Sequence, residues 1–333
     1  MSFNVICAIG FILSIALMMI IMPFFIKTLK NRNVNQVTSE YALNEFKNKE
    51  KTPIMGGLLF VVIPLLVYFV INQNGLLDKR AAFVVLSFVL YCSVGFIDDM
   101  LIIARNKNDG LSPITRLVME FGFAFILYIL FKDVIPCSIS IPFINKSINL
   151  PVIVFVPFMS LLYMAEANAV NFTDGMDGLC AGVSFIGLVP FAILSYMKGE
   201  SNFVILIVCV LGGLIGYLYF NHHPAKIFMG DSGSLALGAL FTAIAIVNDL
   251  IVPLFVIGGV FVVEMFCVVV QQLSVRLFHK RVFSYTPIHY AFVIKGYKEE
   301  KIVYGFYIVA IILAIIGYFI GINILWNISL MKI

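Results

Sequence analysis

Asn168-Ala169-Val170-Asn171-Phe172-Thr173-Asp174-Gly175-Met176-Asp177-Gly178-Leu179 is a polar island between two long apolar runs. Two asparagines, a threonine and two aspartates cluster there, while the flanks, about Pro151 to Ala165 and Leu179 to Tyr196, read as membrane spans. Polar side chains in that number are costly in hydrocarbon. The island therefore belongs at a water boundary, and its composition is that of a site.

Working outward, the whole chain repeats the pattern of the flanks. Of 333 residues, 62% are apolar and 12% charged, and mean hydropathy is +1.05, whereas soluble domains carry about a quarter charged residues. Ten apolar runs can be drawn, at 3–26, 54–73, 81–103, 116–131, 151–167, 179–197, 203–220, 234–248, 251–275 and 303–325. Each approaches the roughly 20 residues needed to cross a bilayer as a helix. Backbone groups in lipid must be satisfied within the span, so the predicted fold is all-α, a polytopic integral membrane protein of about ten transmembrane helices. Val134 to Leu150 alternates around Pro136 and Pro142 and predicts a small hairpin. No repeat or second domain is visible, so residues 1–333 read as one transmembrane domain. The six cysteines have no paired spacing, which argues against a disulfide framework or a zinc site.

Sixteen of the 22 basic residues fall in alternate loops if the N-terminus is outside, among them Lys47, Lys49 and Lys51, Arg105, Lys107 and Arg116, Arg276, Lys280 and Arg281. The positive-inside rule then puts both termini outside and the island on the cytoplasmic side. The net charge of +4 is explained by orientation and implies no nucleic-acid partner. The N-terminal run reads as a retained first helix, because Lys27, Lys30 and Arg32 follow it and no basic residue precedes it.

The acidic residues gather on the same side. Asp98 and Asp99 close the third run, where paired carboxylates call for a proton or a cation; hard oxygen ligands suit magnesium. A helix end reaching water is the plainer alternative. In the island, the i, i+3 spacing of Asp174 and Asp177 puts both on one face if that segment is helical, or Asn171 and Asp174 cap the sixth helix. Capping leaves Asn168 and Asp177 without a task. Asp231-Ser232-Gly233 precedes the eighth run, as an N-cap or as a phosphate-binding helix start. His222 and His223 fit an exposed turn better than a metal pair. Lys51-Thr52-Pro53 brings a cation and a turn to the membrane surface, with Pro53 suited to the first turn of a helix, and Lys51 and Thr52 join the substrate-binding candidates. The basic run from Arg276 to Arg281 reads as topological and lipid-facing, and His289 follows it in Thr-Pro-Ile-His. A lone histidine is more often structural than catalytic. An ion-coupled transporter is the alternative from a different class, with Glu264 and Glu166 inside spans as its support; such sites sit near the midplane on broken helices.

Thr-Pro-Ile-Met-Gly-Gly at 52–57, Gly-Phe-Ile-Asp-Asp at 95–99, Gly-Leu-Ser-Pro at 110–113, the island, Pro-Ala-Lys-Ile-Phe-Met-Gly-Asp-Ser-Gly-Ser-Leu-Ala-Leu-Gly at 224–238 and Thr-Pro-Ile-His at 286–289 resemble, in order, the motifs of the polyprenyl-phosphate N-acetylhexosamine-1-phosphate transferases. The last motif is similar to the phospho-N-acetylmuramoyl-pentapeptide transferase branch. The resemblance implies a transferase of the bacterial inner membrane with its active site facing the cytoplasm. It implies transfer of a sugar 1-phosphate from a UDP-sugar donor to undecaprenyl phosphate with Mg²⁺, releasing UMP, and it admits a homodimer. It further implies that Asp231 ligates the metal and that Asp98 and Asp99 bind metal or deprotonate the lipid phosphate. Asn168, Asn171, Asp174 and Asp177 would shape the nucleotide pocket, Phe228 would stack on uracil, and His289 would contact substrate. Three places depart from the branch: His289 is followed by Tyr290-Ala291 in place of two further histidines, Ile102 stands where a lysine is common, and Ala165-Glu166-Ala167 precedes Asn168. A paralogue using another UDP-N-acetylhexosamine is the alternative these leave open.

Overall fold

The computed structural model describes residues 2–32, 34–35, 48–73, 75–105, 109–144 and 146–330. Lys47, Lys107 and Lys332, three of the cations used for orientation, lie outside them. The expected all-α architecture is present, with twelve α-helices and one small hairpin among the described residues. The first half comprises α1 (Phe3–Asn31), α2 (Gly56–Ile71), α3 (Lys79–Arg105), α4 (Pro113–Phe131), β1 (Ser138–Ile141), β2 (Lys146–Asn149) and α5 (Val152–Thr173). The second half comprises α6 (Leu179–Met197), α7 (Ser201–Asn221), α8 (Asp231–Asn248), α9 (Ile251–Ile257), α10 (Gly259–Phe278), α11 (Ile288–Ile294) and α12 (Glu299–Leu330). Among the described residues, nine helices are long and apolar enough to cross a membrane. The chain is a multi-pass membrane protein. The hairpin lies within 134–150 and pairs Ser138 with Asn149 and Ile141 with Lys146.

Three boundaries differ from the sequence reading, each for a local reason. The run at 54–73 yields only the 16-residue α2, about 24 Å long. Pro53 is not in its first turn: Met55 takes a left-handed conformation (φ 78°) ahead of it, and the Pro53 carbonyl accepts the Phe228 amide at 2.8 Å. The run at 251–275 is broken at Gly258, so the short α9 precedes α10. Finally, α5 continues through Thr173, carrying Asn168 and Asn171 on its last two turns.

The shortest expected span, 234–248, is the core of the molecule. Every residue of α8 from Ser232 to Asn248 is buried. Its alanines, glycines and serines make it weakly hydropathic but let neighbouring backbones come close, the usual means of packing helices in lipid. At the N-terminal end the approach is tightest. A Cβ on Gly57 would stand 2.4 Å from Gly233 Cα, and one on Gly95 2.1 Å from the Asp231 carbonyl oxygen. The Gly56 and Gly57 amides donate to the Phe228 and Met229 carbonyls at 2.8 and 2.9 Å, so the 53–57 segment is laced to the strand-like approach to α8. At the other end Lys198 donates to the Asn248 carbonyl at 2.7 Å, and Asp249 accepts the Ser140 amide at 3.1 Å, seating the hairpin.

Gly95→Val therefore forces α3 away from the start of α8. We expect a loss of about 1–3 kcal/mol, typical of overpacking a filled interior, read as a lowered unfolding temperature of the detergent-purified protein. Phe96→Val, at the exposed neighbouring position, is expected to leave it within error.

Candidate active site

The end of the bundle where α3, α5 and α8 meet gathers most of the acidic candidates. Asp98 and Asp99, one turn beyond Gly95, are buried within α3, which runs on to Arg105. Asp99 has both carboxylate oxygens on the start of α8: Oδ1 accepts the Asp231 amide and Oδ2 the Ser232 amide, each at 3.0 Å. The first amides of a helix have no partner within it, so a carboxylate from another helix satisfies them here and gains from the helix dipole. Asp98 Oδ1 accepts the Leu111 amide at 2.8 Å, and its carboxyl group lies within hydrogen-bonding reach of that of Asp231. Asp231 is the first residue of α8, with Gly230 as its N-cap.

Asp231 is held by two side chains. Asn171 Nδ2 donates to Oδ1 at 2.8 Å and to Ser234 Oγ at 2.9 Å. Arg116 Nη1 donates to Oδ2 at 2.7 Å. From Arg116 the network continues to Glu120 Oε1 (3.2 Å), and Glu120 Oε2 accepts from Asn168 Nδ2 at 2.7 Å. Asn168 and Asn171 thus belong to one face of the last two turns of α5. Neither Arg116 nor Glu120 was singled out in the sequence. Their signal was an i, i+4 Arg–Glu pair near the start of an apolar helix, but Arg116 was counted only as a loop cation.

The island itself is not helical from Asp174 to Gly178, so Asp174 and Asp177 do not share a helix face. Nor do Asn171 and Asp174 cap α6, whose N-cap is Gly178 (φ 80°) with no side-chain bond. Asp174 ends α5, its carboxyl pushed well above the usual range by desolvation and then by the Asp231 and Asp99 carboxylates. Asp177 turns to a second cluster. Its Oδ1 accepts from Lys49 Nζ at 2.5 Å, and its Oδ2 lies 3.0 Å from His223 Nδ1 and from the Ala225 amide. Glu299 Oε1 accepts from both Lys49 Nζ (2.6 Å) and the Asp177 amide (2.8 Å). Asp177, His223 and Glu299 are close enough for a metal, but the Lys49 ammonium already supplies the countercharge. Lys49 also stands 5.8 Å from the centre of the Phe228 ring. Lys51 is exposed at the end of the same turn, and the Thr52 amide donates to the Lys49 carbonyl at 2.9 Å. The structure brings Lys49, not Lys51, onto the island.

His289 is fully buried, its Nδ1 3.1 Å from Glu264 Oε1, while Glu264 Oε2 accepts the Ile288 amide at 2.7 Å. His289 Nε2 has no hydrogen-bond partner among the described residues and faces Gly175, where a Cβ would lie 2.3 Å from it. Tyr290 donates to the Gly175 carbonyl at 3.0 Å. Glu264, the residue in favour of a transporter, is thus accounted for by the loop it anchors. Glu166 Oε1 is buried without a partner among the described residues.

Comparison with known proteins gives the family. The sequence profile described as Glycosyl transferase family 4 matches residues 81–249, the stretch from α3 to the end of α8. A protein from Staphylococcus aureus (strain bovine RF122/ET3-1) named phospho-N-acetylmuramoyl-pentapeptide-transferase is 38% identical over 319 residues, 94% of this chain and 98% of that protein. The chain belongs to glycosyl transferase family 4, in its phospho-N-acetylmuramoyl-pentapeptide transferase branch. Proteins of the same name from Staphylococcus saprophyticus and Staphylococcus carnosus are each 36% identical over 94% of this chain and 98% of their own length. Asp98, Asp99, Arg116, Glu120, Asn168, Asn171 and Asp231 all lie within the matched residues.

Among the described residues Arg116 is the one cation bonded to Asp231, and Arg116→Gln leaves Asp231 and Glu120 facing each other uncompensated. We expect about 3 kcal/mol of destabilisation, the scale for breaking a buried pair from one side. Chemical unfolding should register it, with partial recovery in Arg116→Lys, which keeps the charge but not the fork.

Proposed function

We propose that this protein transfers phospho-N-acetylmuramoyl-pentapeptide from its UDP-linked donor to undecaprenyl phosphate, releasing UMP and forming the first lipid-linked cell-wall precursor. The observation that carries the reading is the meeting of Asp98, Asp231, Asn171 and Arg116 around the start of α8, at the end of the bundle with most of the basic loops. The staphylococcal relatives, named phospho-N-acetylmuramoyl-pentapeptide-transferase, support the identity of the transferred group. The site faces the cytoplasm in this reading, where a soluble nucleotide-sugar and a membrane-held lipid phosphate can meet.

The residues present fit a divalent cation. The buried Asp98 and the half-buried Asp231 are two carboxyls within reach of one another, an all-oxygen donor set of the kind magnesium takes together with substrate phosphates. Asp99 fits less well, since both its oxygens hold the α8 amides. Magnesium bound there supplies neutralisation of the diphosphate charge. The chain's own groups do the rest. Asp98 takes the proton of the lipid phosphate, whose oxygen attacks the sugar-bearing phosphorus. The diphosphate bond breaks, and UMP leaves with the bonding electrons. Arg116 and Asn171 hold Asp231 in place, the Phe228 ring stacks on the uracil, and Lys49 lies beside that ring.

The loop at Tyr290 favours a second reading of the donor. Its bond to the Gly175 carbonyl ties the altered histidine motif directly to the island, so a different UDP-N-acetylhexosamine is the alternative within the same chemistry.

Purified protein with undecaprenyl phosphate, Mg²⁺ and a panel of UDP-sugars is expected to release UMP fastest from the pentapeptide donor; no UMP from any donor overturns the proposal. Asp231→Asn is expected to lower turnover at least about a hundredfold while the protein remains folded, the scale for losing a group that stabilises transition-state charge. For Tyr290→Phe, one lost hydrogen bond predicts a change in donor KM of up to about tenfold with kcat little altered. A shift in the preferred donor in Tyr290→His with Ala291→His would place sugar selection in that loop.

A further inference from the structure

The basic run after α10 has no part in the site above, yet it is built into a pocket. Gln271, Gln272, Arg276, Arg281, Tyr285 and Thr286 line a cavity of about 490 Å³. Two arginines line it, Arg276 from the last turn of α10 and Arg281 from the segment that folds back. The fold-back is fixed. His279 takes a left-handed conformation (φ 53°), and Gln271 Oε1 accepts the Val282 and Phe283 amides at 2.9 and 3.0 Å. Gln271 Nε2 donates to the Phe283 carbonyl at 3.2 Å, and Ser274 Oγ to the Lys280 carbonyl at 2.8 Å. Among the described residues neither arginine pairs with a carboxylate. Arg276 gains from the α10 helix dipole. Arg281, beyond the helix, does not.

The surroundings identify the occupant. Val263, Phe266, Val269, Leu273 and Leu277 are exposed and fall on one stripe of α10 that by helical spacing runs beside Arg276, and the exposed Val275 lines the pocket itself. Phe278 and Val282, 68% and 57% exposed, stand at the turn. A ligand whose head meets these arginines has exposed apolar surface beside Arg276 for its tail. None of the lining residues belongs to the Asp98–Asp231 group, so a phosphate held here is not the one that reacts.

We propose that this pocket binds the phosphate headgroup of an anionic bilayer phospholipid, with Arg276 and Arg281 on the phosphate oxygens and the acyl chains along the α10 stripe. Guanidinium forks match phosphate geometry, and juxtamembrane cations recognise anionic lipid at the cytoplasmic leaflet. The inference goes beyond the transfer reaction and stands without it. Its structural consequence is local: Thr286 leads through Pro287 to Ile288 and His289, both held by Glu264, so the lipid braces the loop that carries His289 to the island.

Native mass spectrometry of the full chain in detergent, titrated with phosphatidylglycerol and phosphatidylcholine, tests the assignment. The protein is expected to retain phosphatidylglycerol preferentially, and the double variant Arg276→Gln/Arg281→Gln to lose affinity about tenfold or more, as deletion of charge-assisted contacts predicts. Lys27→Gln/Lys30→Gln removes the same charge elsewhere and should change binding less than twofold. Undiminished phosphatidylglycerol binding in the arginine variant, if it unfolds at the unaltered temperature, overturns the proposal. If the arginine variant is less stable, Arg276→Lys/Arg281→Lys supplies the comparison, and binding equal to the unaltered chain's overturns it. An equal loss in the lysine variant reduces the effect to general surface charge and also overturns it. Displacement by inorganic phosphate, or by undecaprenyl phosphate at equal mole fraction, overturns the assignment to a bilayer phospholipid in favour of a free anion or the acceptor lipid.

Discussion

The arrangement depends on how the buried start of α8 satisfies its backbone. A helix enclosed on all sides cannot leave its first amides to water, and a buried unsatisfied donor costs about 1–3 kcal/mol. Asp99 from α3 takes the Asp231 and Ser232 amides. That bond sets the axial register of α3 against α8, and the register in turn puts Asp98 opposite the Asp231 carboxyl. The close crossing at Gly95 is the steric counterpart of the same constraint. A single carboxylate therefore builds the helix start that presents the catalytic candidates.

Charge compensation explains the next layer. Asp98, Asp231 and Glu120 are carboxylates in a low-dielectric setting, where like charges cannot be left alone. Arg116 bridges two of them, and Asn168 and Asn171 add neutral donors that need no further counterion. The result holds Asp231 in one orientation through both oxygens, a preorganised group of the kind electrostatic catalysis requires. A second compensated cluster, Lys49 with Asp177 and Glu299, ties the first loop and the start of α12 to the island. The two clusters share the island but not their charges: Asn171 joins the first and Asp177 the second.

Much of this was legible in the chain. The spans followed from hydropathy, and the meeting of Asp98, Asp99, Asn171 and Asp231 at one end followed from loop charge and helix direction. What stayed hidden was set by partners. Arg116 looked like a topological charge because its neighbours in sequence are a loop, whereas its neighbours in space are carboxylates. Lys51 looked nearer the site than Lys49, yet the short turn at 48–51 points the earlier lysine inward. The run at 251–275 read as one helix because a glycine in an apolar stretch does not announce a break.

By itself the sequence determined the all-α class and the membrane setting, since hydrocarbon permits few other ways to satisfy a backbone. It also determined which polar residues had to find company, because each is too costly to bury alone. The tertiary structure decided which company. Only packing showed that Asp99 holds a helix start rather than standing open, that Asp177 faces Lys49, and that Glu264 orients His289. These are contacts between residues 25 to 133 positions apart, and a linear pattern carries no distance across the bundle.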